Sequence, residues 1–228
     1  MHVRANRNIR FLMELRRAGI HDVPLLSAIE RLPREHFVPA SFIDQAYENI
    51  ALPIACGQTT SQPVLVAEMV QYLQLEKRHK VLEIGTGTGY QTALLAKLSR
   101  RVYTIDKYRE LIQLAELSWR ELSIPNITAI AGDGLADWQG QAPFDRIIVC
   151  AALPEIPHVL AEQLTDGGLL LAPVGREGQP QELIAWRRVA GGWIEEIVRP
   201  VRFVGCVSPL LTAMLDSEPL QQEEALRA

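Results

Sequence analysis

The sequence predicts a doubly wound α/β fold: a mostly parallel sheet of seven strands that ends in an antiparallel hairpin, with a small helical extension at the N-terminus. Three observations carry that prediction. From Lys80 onward short β-branched runs alternate with helical stretches, a glycine-rich loop joins the first of these strands to the helix after it, and the last two strand-like runs flank Gly191-Gly192. Residues 1–55 read as a helical and irregular lead-in packed on the main domain, 56–210 as that domain, and 211–228 as an acidic tail without pattern, expected to be flexible.

In the lead-in, Ile9, Leu12, Met13 and Leu15 recur at helical spacing. Val23, Leu25, Leu26, Ile29 and Leu32 do so again, and Asp22 between the two sets is a cap candidate. The stretch "PREHFVPASFIDQAYENIALPIACG" holds three prolines and little periodicity, so it predicts an ordered irregular connection with a short helix around Phe42 to Tyr47. In "CGQTTSQPVLVAEM" the residues Val66, Met69 and Val70, continued by Leu73, mark a helix. Pro63 suits its first turn, and Ser61 is the expected N-cap. A cap needs one hydroxyl, so Thr59, Thr60 and the amide of Gln58 are surplus to it. The strands follow as "KVLEIG", "RVYTID", "ITAIAGD", "FDRIIVCAA" and "GGLLLAPVG". Between them "YQTALLAKLS", "YRELIQLAELSWREL" and "IPHVLAEQL" should be helices on both faces of the sheet. "ELIAWRRVAGGWIEEIVRPVRFV" then supplies the hairpin.

Composition removes several functional classes. With 228 residues, 48% hydrophobic and 22% charged, the chain can bury a sizeable core. No run of about eighteen apolar residues occurs, and arginines interrupt "MHVRANRNIRFLMELRRAG", which reads as an amphipathic helix rather than a signal peptide; a cytoplasmic protein is expected, without membrane association. Cys56, Cys150 and Cys206 are odd in number and far apart, so neither a disulfide framework nor a metal site is expected. A net charge of −4 argues against a nucleic-acid surface.

"EIGTGTGYQ" places Gly85, Gly87 and Gly89 between a strand and a helix, where the backbone can turn sharply and approach a ligand closely. The next strand ends in Asp106, about twenty residues on, where a carboxylate accepts from ribose hydroxyls. A nucleoside-type cofactor follows. A dinucleotide fingerprint would carry glycine where Tyr90 stands, which disfavours an NAD-dependent enzyme. The G-x-G-x-G spacing, with Glu83 before it and Asp133 in "AGDG" at the end of the third strand, instead resembles motif I of class I methyltransferases that use S-adenosylmethionine, and so a Rossmann-like sheet.

Over residues of roughly 10 to 205 the sequence is similar to the protein-L-isoaspartate O-methyltransferase family. The blocks that carry the resemblance are "GQTTSQP", "VLEIGTGTGYQTALLA", "VYTID", "GDG", "APFDRIIVCAA" and "QLTDGGLLLAPVG", the first being the diagnostic one. The resemblance implies an active-site Ser61, with Gln58, Thr59 and Thr60 lining the cofactor. It also implies Gly85, Thr86, Gly87, Thr88 and Gly89 around the methionine end of S-adenosylmethionine, Asp106 on the ribose with Lys107 beside it, and Gly132 with Asp133 at the adenine. Four places depart from the family pattern: Thr60 for the common Ile, Asp106 for the commoner Glu, Asp137 where a Gly precedes Trp138, and "FVGCVSP" in the C-terminal segment that helps cover the peptide site. The implied substrate is an isoaspartyl peptide or protein, methylated on its free α-carboxylate by a chain expected to act as a monomer.

A carboxylate is already nucleophilic at neutral pH and a sulfonium methyl already electrophilic, so no general base is needed. In keeping with this, His2, His21, His36, His79 and His158 all lie outside the blocks and read as surface or structural. The competing readings are another class I methyltransferase acting on a small molecule or nucleic acid, which "GQTTSQP" opposes, and a non-catalytic relative that binds cofactor or peptide, which the retained Ser61, Gly85, Gly87, Gly89 and Asp106 oppose.

Overall fold

The computed structural model describes residues 2–136 and 138–212; Asp137 and the tail from residue 213 lie outside the described residues. Helices α1 (His2–Arg17) and α2 (Val23–Arg31) form the lead-in, and two 3₁₀ segments, Arg34–Phe37 and Ala40–Gln45, make up much of the irregular connection. Then come α3 (Pro63–Tyr72), β1 (Lys80–Ile84), α4 (Tyr90–Leu98), β2 (Arg101–Asp106), α5 (Arg109–Glu121), β3 (Ile127–Ala131), β4 (Phe144–Val149), α6 (His158–Ala161), β5 (Leu164–Val174), β6 (Gln181–Val189) and β7 (Gly192–Val201). The seven strands form one sheet in the order β3-β2-β1-β4-β5-β6-β7, parallel from β3 to β5 and antiparallel from β5 through β7.

The chain turns back at β1: β2 and β3 extend the sheet to one side, and β4 returns to the other. That reversal leaves a crevice at the carboxyl ends of β1 and β4, where open α/β sheets bind ligands. The central strands are apolar on both faces, as parallel strands between two layers must be. Val81 of β1 stands level with Val102 of β2, Leu82 of β1 with Ile147 of β4, and all four are buried.

The two faces are covered unequally. One carries α1 to α5, whose Phe11, Leu15, Leu25, Ile29, Met69, Leu94 and Trp119 join Val81, Val102 and Ile148 in a single core. The other is closed by the short α6 and by irregular chain, with Leu135, Leu153, Ile156 and Leu160 over Leu82, Ile105, Ile147 and Leu170. Helices thus flank both faces as predicted, but the second face has only short helical turns among the described residues: α6, the 3₁₀ turn Gln139–Gln141 and residues 209–212. No helix among them is long and apolar enough to cross a membrane.

Several local expectations change. Asp22 does cap α2, its Oδ1 accepting from the Leu25 N–H at 2.7 Å. On α1 the inward residues are Phe11, Leu12 and Leu15, whereas Ile9 and Met13 are 55% and 49% exposed, because the helix leans on the core along its Phe11 face. The short helix expected at Phe42 to Tyr47 is the 3₁₀ segment Ala40–Gln45. Ser61 does not cap α3: the N-cap position is Gln62, without a side-chain bond, and the Oδ1 of Asn49 takes the Val64 N–H at 3.2 Å. A side chain from the preceding loop has taken over the task, leaving Ser61 free of it.

Gly89 shows how the sheet and helices meet. It has φ +83°, and a Cβ there would sit 2.7 Å from the Trp119 ring and 2.8 Å from Ala115 on α5, while the Trp119 Nε1 donates to the Gly89 carbonyl at 2.9 Å. Gly89→Ala is expected to destabilise the fold by about 2–4 kcal/mol, from left-handed backbone strain plus overpacking. Urea denaturation of parent and variant measures this, and an unchanged midpoint would refute it.

Candidate functional site

The pocket at the sheet's crevice is assembled from the ends of successive strands. From β1 the chain enters the loop 85–89; Gly85 has φ +94° and donates its N–H to the Ile105 carbonyl at 2.8 Å, which holds the loop over β2. A Cβ at Gly85 would come within 3.1 Å of the Cys150 Cβ at the end of β4, so glycine is what lets the two strand ends close up. Gly87 has φ +54° and no heavy atom within 4 Å of where its Cβ would be: its backbone borders open space.

Asp106 ends β2 and faces that loop. Its Oδ2 accepts from the Gly87 N–H at 2.9 Å and its Oδ1 from the Tyr108 N–H at 3.0 Å, which leaves acceptor capacity on a carboxylate that lines the pocket. Burial raises its pKa, and the N–H bonds from Tyr108, Gly87 and Thr86 work against that rise.

Behind the loop lies Glu83, fully buried in β1. It accepts from three donors: Gln91 Nε2 at 3.1 Å, Thr92 Oγ1, and Thr104 Oγ1 at 2.7 Å. Thr104's proton is committed to Glu83, so in the 2.7 Å contact between Thr86 and Thr104 the Thr86 hydroxyl donates. Gln91 also donates to the Cys150 sulfur at 2.8 Å. Burial pushes the Glu83 carboxyl up to about 7, the charge of Asp106 adds to it, and the three hydrogen bonds oppose it. The Cys150 thiol is pushed well above its usual value, first by burial and then by the Glu83 charge.

The opposite wall comes from the segment before α3. Residues 52–60 fold back on themselves: the Ile54 N–H donates to the Gln58 carbonyl at 2.9 Å and the Thr60 N–H to the Leu52 carbonyl at 2.8 Å, while the Thr60 Oγ1 accepts from the Leu52 N–H at 3.0 Å. The hydroxyl of Thr60, unexplained by sequence, closes this small hairpin. Its turn holds Cys56 at φ +60° beside Gly57 at +67°.

A strap closes the site from the C-terminal side. Beyond β7 the Gln181 amide brackets Phe203, donating to its carbonyl at 3.0 Å and accepting from its N–H at 2.6 Å. Cys206 donates its N–H to the Ala152 carbonyl at 2.8 Å, and the Ser208 hydroxyl donates to Asp133 Oδ2 at 2.8 Å.

The structure therefore brings together Gln58, Thr59, Thr60, Ser61, Gly85, Thr86, Gly87, Thr88, Asp106, Lys107 and Gly132 around one pocket. Two sequence-selected residues stand back from its wall. Gly89 is turned to Trp119, and Asp133 engages Ser208 and the Leu135 N–H while Gly132 and Gly134 form the pocket surface at that turn. Sequence reasoning missed Arg34, Phe37, Gln91, Cys150 and the strap residues 204–207. Only the "FVGCVSP" departure pointed to the last of these.

A second opening adjoins the first. It is lined by Gln62, Leu65, Glu68, Glu177 and the run 199–203, with Arg199 ion-paired to Glu68. Thr59, Thr60, Ser61, Cys150 and Val204 border both cavities, so Ser61 stands in a shared wall.

The family model described as protein-L-isoaspartate(D-aspartate) O-methyltransferase matches residues 6–210. A protein-L-isoaspartate O-methyltransferase of Rhodospirillum rubrum is 52% identical over 207 residues, 90% of this chain and 94% of that protein. Among solved structures, one protein-L-isoaspartate O-methyltransferase superposes with a TM-score of 0.80 at 26% identity, covering 88% of this chain and 66% of the other. A Plasmodium falciparum chain solved in complex with S-adenosyl-L-homocysteine superposes at 0.76 with 23% identity, covering 87% and 97%.

Glu83 supplies a pH test. Its folded pKa lies near 7, above the usual 4.5, so between those values the folded protein retains a proton that the unfolded chain releases. Stability from this group is greatest at low pH and falls as pH rises through 7. Between pH 5 and 8 the parent should lose about 2–3 kcal/mol more than Glu83→Gln, read from denaturation curves across that range; parallel pH profiles would refute it.

Proposed function

The chain belongs to the protein-L-isoaspartate(D-aspartate) O-methyltransferase family, and from that premise we propose that it transfers the methyl group of S-adenosylmethionine to the free α-carboxylate of L-isoaspartyl residues, with Ser61 placing that carboxylate. The observation that carries this reading is the shared wall: Ser61 borders both the pocket of the glycine loop and Asp106 and the neighbouring groove. A donor on one side and a peptide on the other meet at that residue.

The residues present fit the cofactor. Gly87 borders open space in the pocket with a left-handed backbone, Asp106 presents acceptor capacity for ribose hydroxyls, and α4 begins with buried Tyr90, where a pyrophosphate would require an accessible helix end. Gln58 to Thr60, Gly85 to Thr88, Lys107 and Gly132 complete the set that would hold it. Asp133 takes part through the turn that presents Gly132 and through its bond to the strap. When bound, S-adenosylmethionine supplies an activated methyl on a sulfonium.

The chain's own contribution is placement and partial exclusion of water. The Ser61 hydroxyl gives the peptide carboxylate one hydrogen bond, which orients an oxygen without neutralising its charge. Cys150, in the same wall, stays a protonated thiol because burial raises its pKa, so it does not compete for the methyl group. The product ester cyclises to a succinimide by backbone attack with loss of methanol, and hydrolysis returns part of it to normal aspartate; the protein thereby acts in protein repair. We read it as a monomeric cytoplasmic enzyme whose partners are damaged peptides and proteins, with net charge −4 opposing a nucleic-acid role.

Labelled S-adenosylmethionine with paired isoaspartyl and aspartyl peptides tests the assignment, scored as volatile methanol released by base; equal labelling of the two peptides would refute it. Ser61→Ala is expected to lower turnover on the isoaspartyl peptide by up to about a hundredfold, with affinity for S-adenosylhomocysteine unchanged. Undiminished turnover would remove Ser61 from the reaction.

A further inference from the structure

We propose that Arg34 binds the carboxylate at the methionyl end of the cofactor; this rests on the reading that the pocket holds S-adenosylmethionine. Arg34 comes from the 3₁₀ segment of the lead-in and is 2% exposed, yet it lines the cofactor pocket beside Phe37 and Tyr90. Its Nε donates to the Ala46 carbonyl at 2.6 Å, and its guanidinium lies over the Tyr90 ring, 4.6 Å from the centroid. Its Nη2 is buried and has no acceptor.

The contrast with Arg146, the other buried arginine among the described residues, sharpens the point. Arg146 has Asp145 and Glu76 close enough to favour its charge, whereas the groups favouring the charge of Arg34 are the phenols of Tyr90 and Tyr47. No carboxylate of the described residues forms an ion pair with Arg34. A buried guanidinium stays protonated and is strongly destabilising without a counter-ion. Because Arg34 lines the ligand pocket, an anionic group of a ligand seated there is the counter-ion within its reach.

The chemistry of the cofactor selects the group. Its adenine and ribose are neutral, its sulfonium and ammonium are cations that a guanidinium repels, and its carboxylate is its one anion. Tyr90, which carries Arg34 on its face, directly follows the glycine loop, and Phe37 locks Tyr90 edge-to-face at 5.6 Å between centroids. The peptide carboxylate is the wrong partner, since pairing with a guanidinium would withdraw the electron density it needs to attack.

The test is calorimetric titration of the full chain with S-adenosylmethionine and with its decarboxylated analogue. In the parent, loss of the carboxylate should weaken binding about ten- to a hundredfold, the range of a charge-assisted hydrogen bond. In Arg34→Gln that preference should vanish, and in Arg34→Lys, which keeps the charge without the planar fork, it should be reduced. Equal binding of both ligands by the parent overturns the proposal and requires no variant, so the test stands even if Arg34→Gln does not fold. A variant that loses both affinities in the same proportion also overturns it, leaving Arg34 as a brace for Tyr90. A parent that binds neither ligand overturns the cofactor reading itself, and this proposal with it.

Discussion

The buried carboxylate of Glu83 is the constraint around which the site is organised. It gathers donors from two elements, Gln91 and Thr92 on α4 and Thr104 on β2. Through Thr104 it reaches Thr86 in the glycine loop, and through Gln91 it reaches Cys150 at the end of β4. One side chain without solvent contact thereby ties three strand ends and a helix start into a single geometry. Neutral donors from all sides are worth most where the dielectric is low, and each would be left unsatisfied were the acceptor lost. The buried carboxylate adds to the bonds that Asp106, the Ile105 carbonyl and Trp119 make to the loop, and among the described residues it alone links the loop to both α4 and the end of β4.

Preorganisation recurs on the opposite wall, by different means. There no buried charge is used: a two-way exchange between Leu52 and Thr60, a left-handed Cys56 and the Asn49 cap on α3 set the run Gln58 to Ser61 in place. The Asn49 side chain accepts from the Val64 N–H at the start of α3, so the hydroxyl of Ser61 is not spent on capping that helix. The rigidity comes from short backbone loops, whose entropy cost is small.

How far the sequence revealed this depended on the range of the interaction involved. The sheet was legible because β-branched runs and glycine turns are local signals, and the crevice because strand, loop and acid follow one another within about twenty residues of chain. Gly85, Gly87 and Asp106 were found for that reason. Arg34 was not, since its meaning depends on Tyr90, far along the chain and brought under it only by packing. The inward face of α1 was not legible for a related cause: periodicity marks an apolar stripe, but Ile9 and Met13 lie at its exposed margin, and only packing in the folded core decides which margin is buried. Ser61 as a cap failed because Asn49, outside the helix altogether, reached the open N–H first. Asp133 was selected from its place at the end of the third strand, but the Ser208 that donates to it belongs to a segment whose path no local pattern records.

The wall that holds Ser61 has an opening on each side, one toward the glycine loop and one toward the groove of Glu68 and Arg199. Two ligands separated by such a partition need not enter through one another's path. A peptide can leave and be replaced while the nucleoside stays seated, and the converse holds as well, so the architecture permits random-order kinetics. The strap weakens that independence, because residues 203–204 border the groove while 204–207 border the pocket: loosening it to release one ligand slackens the grip on the other.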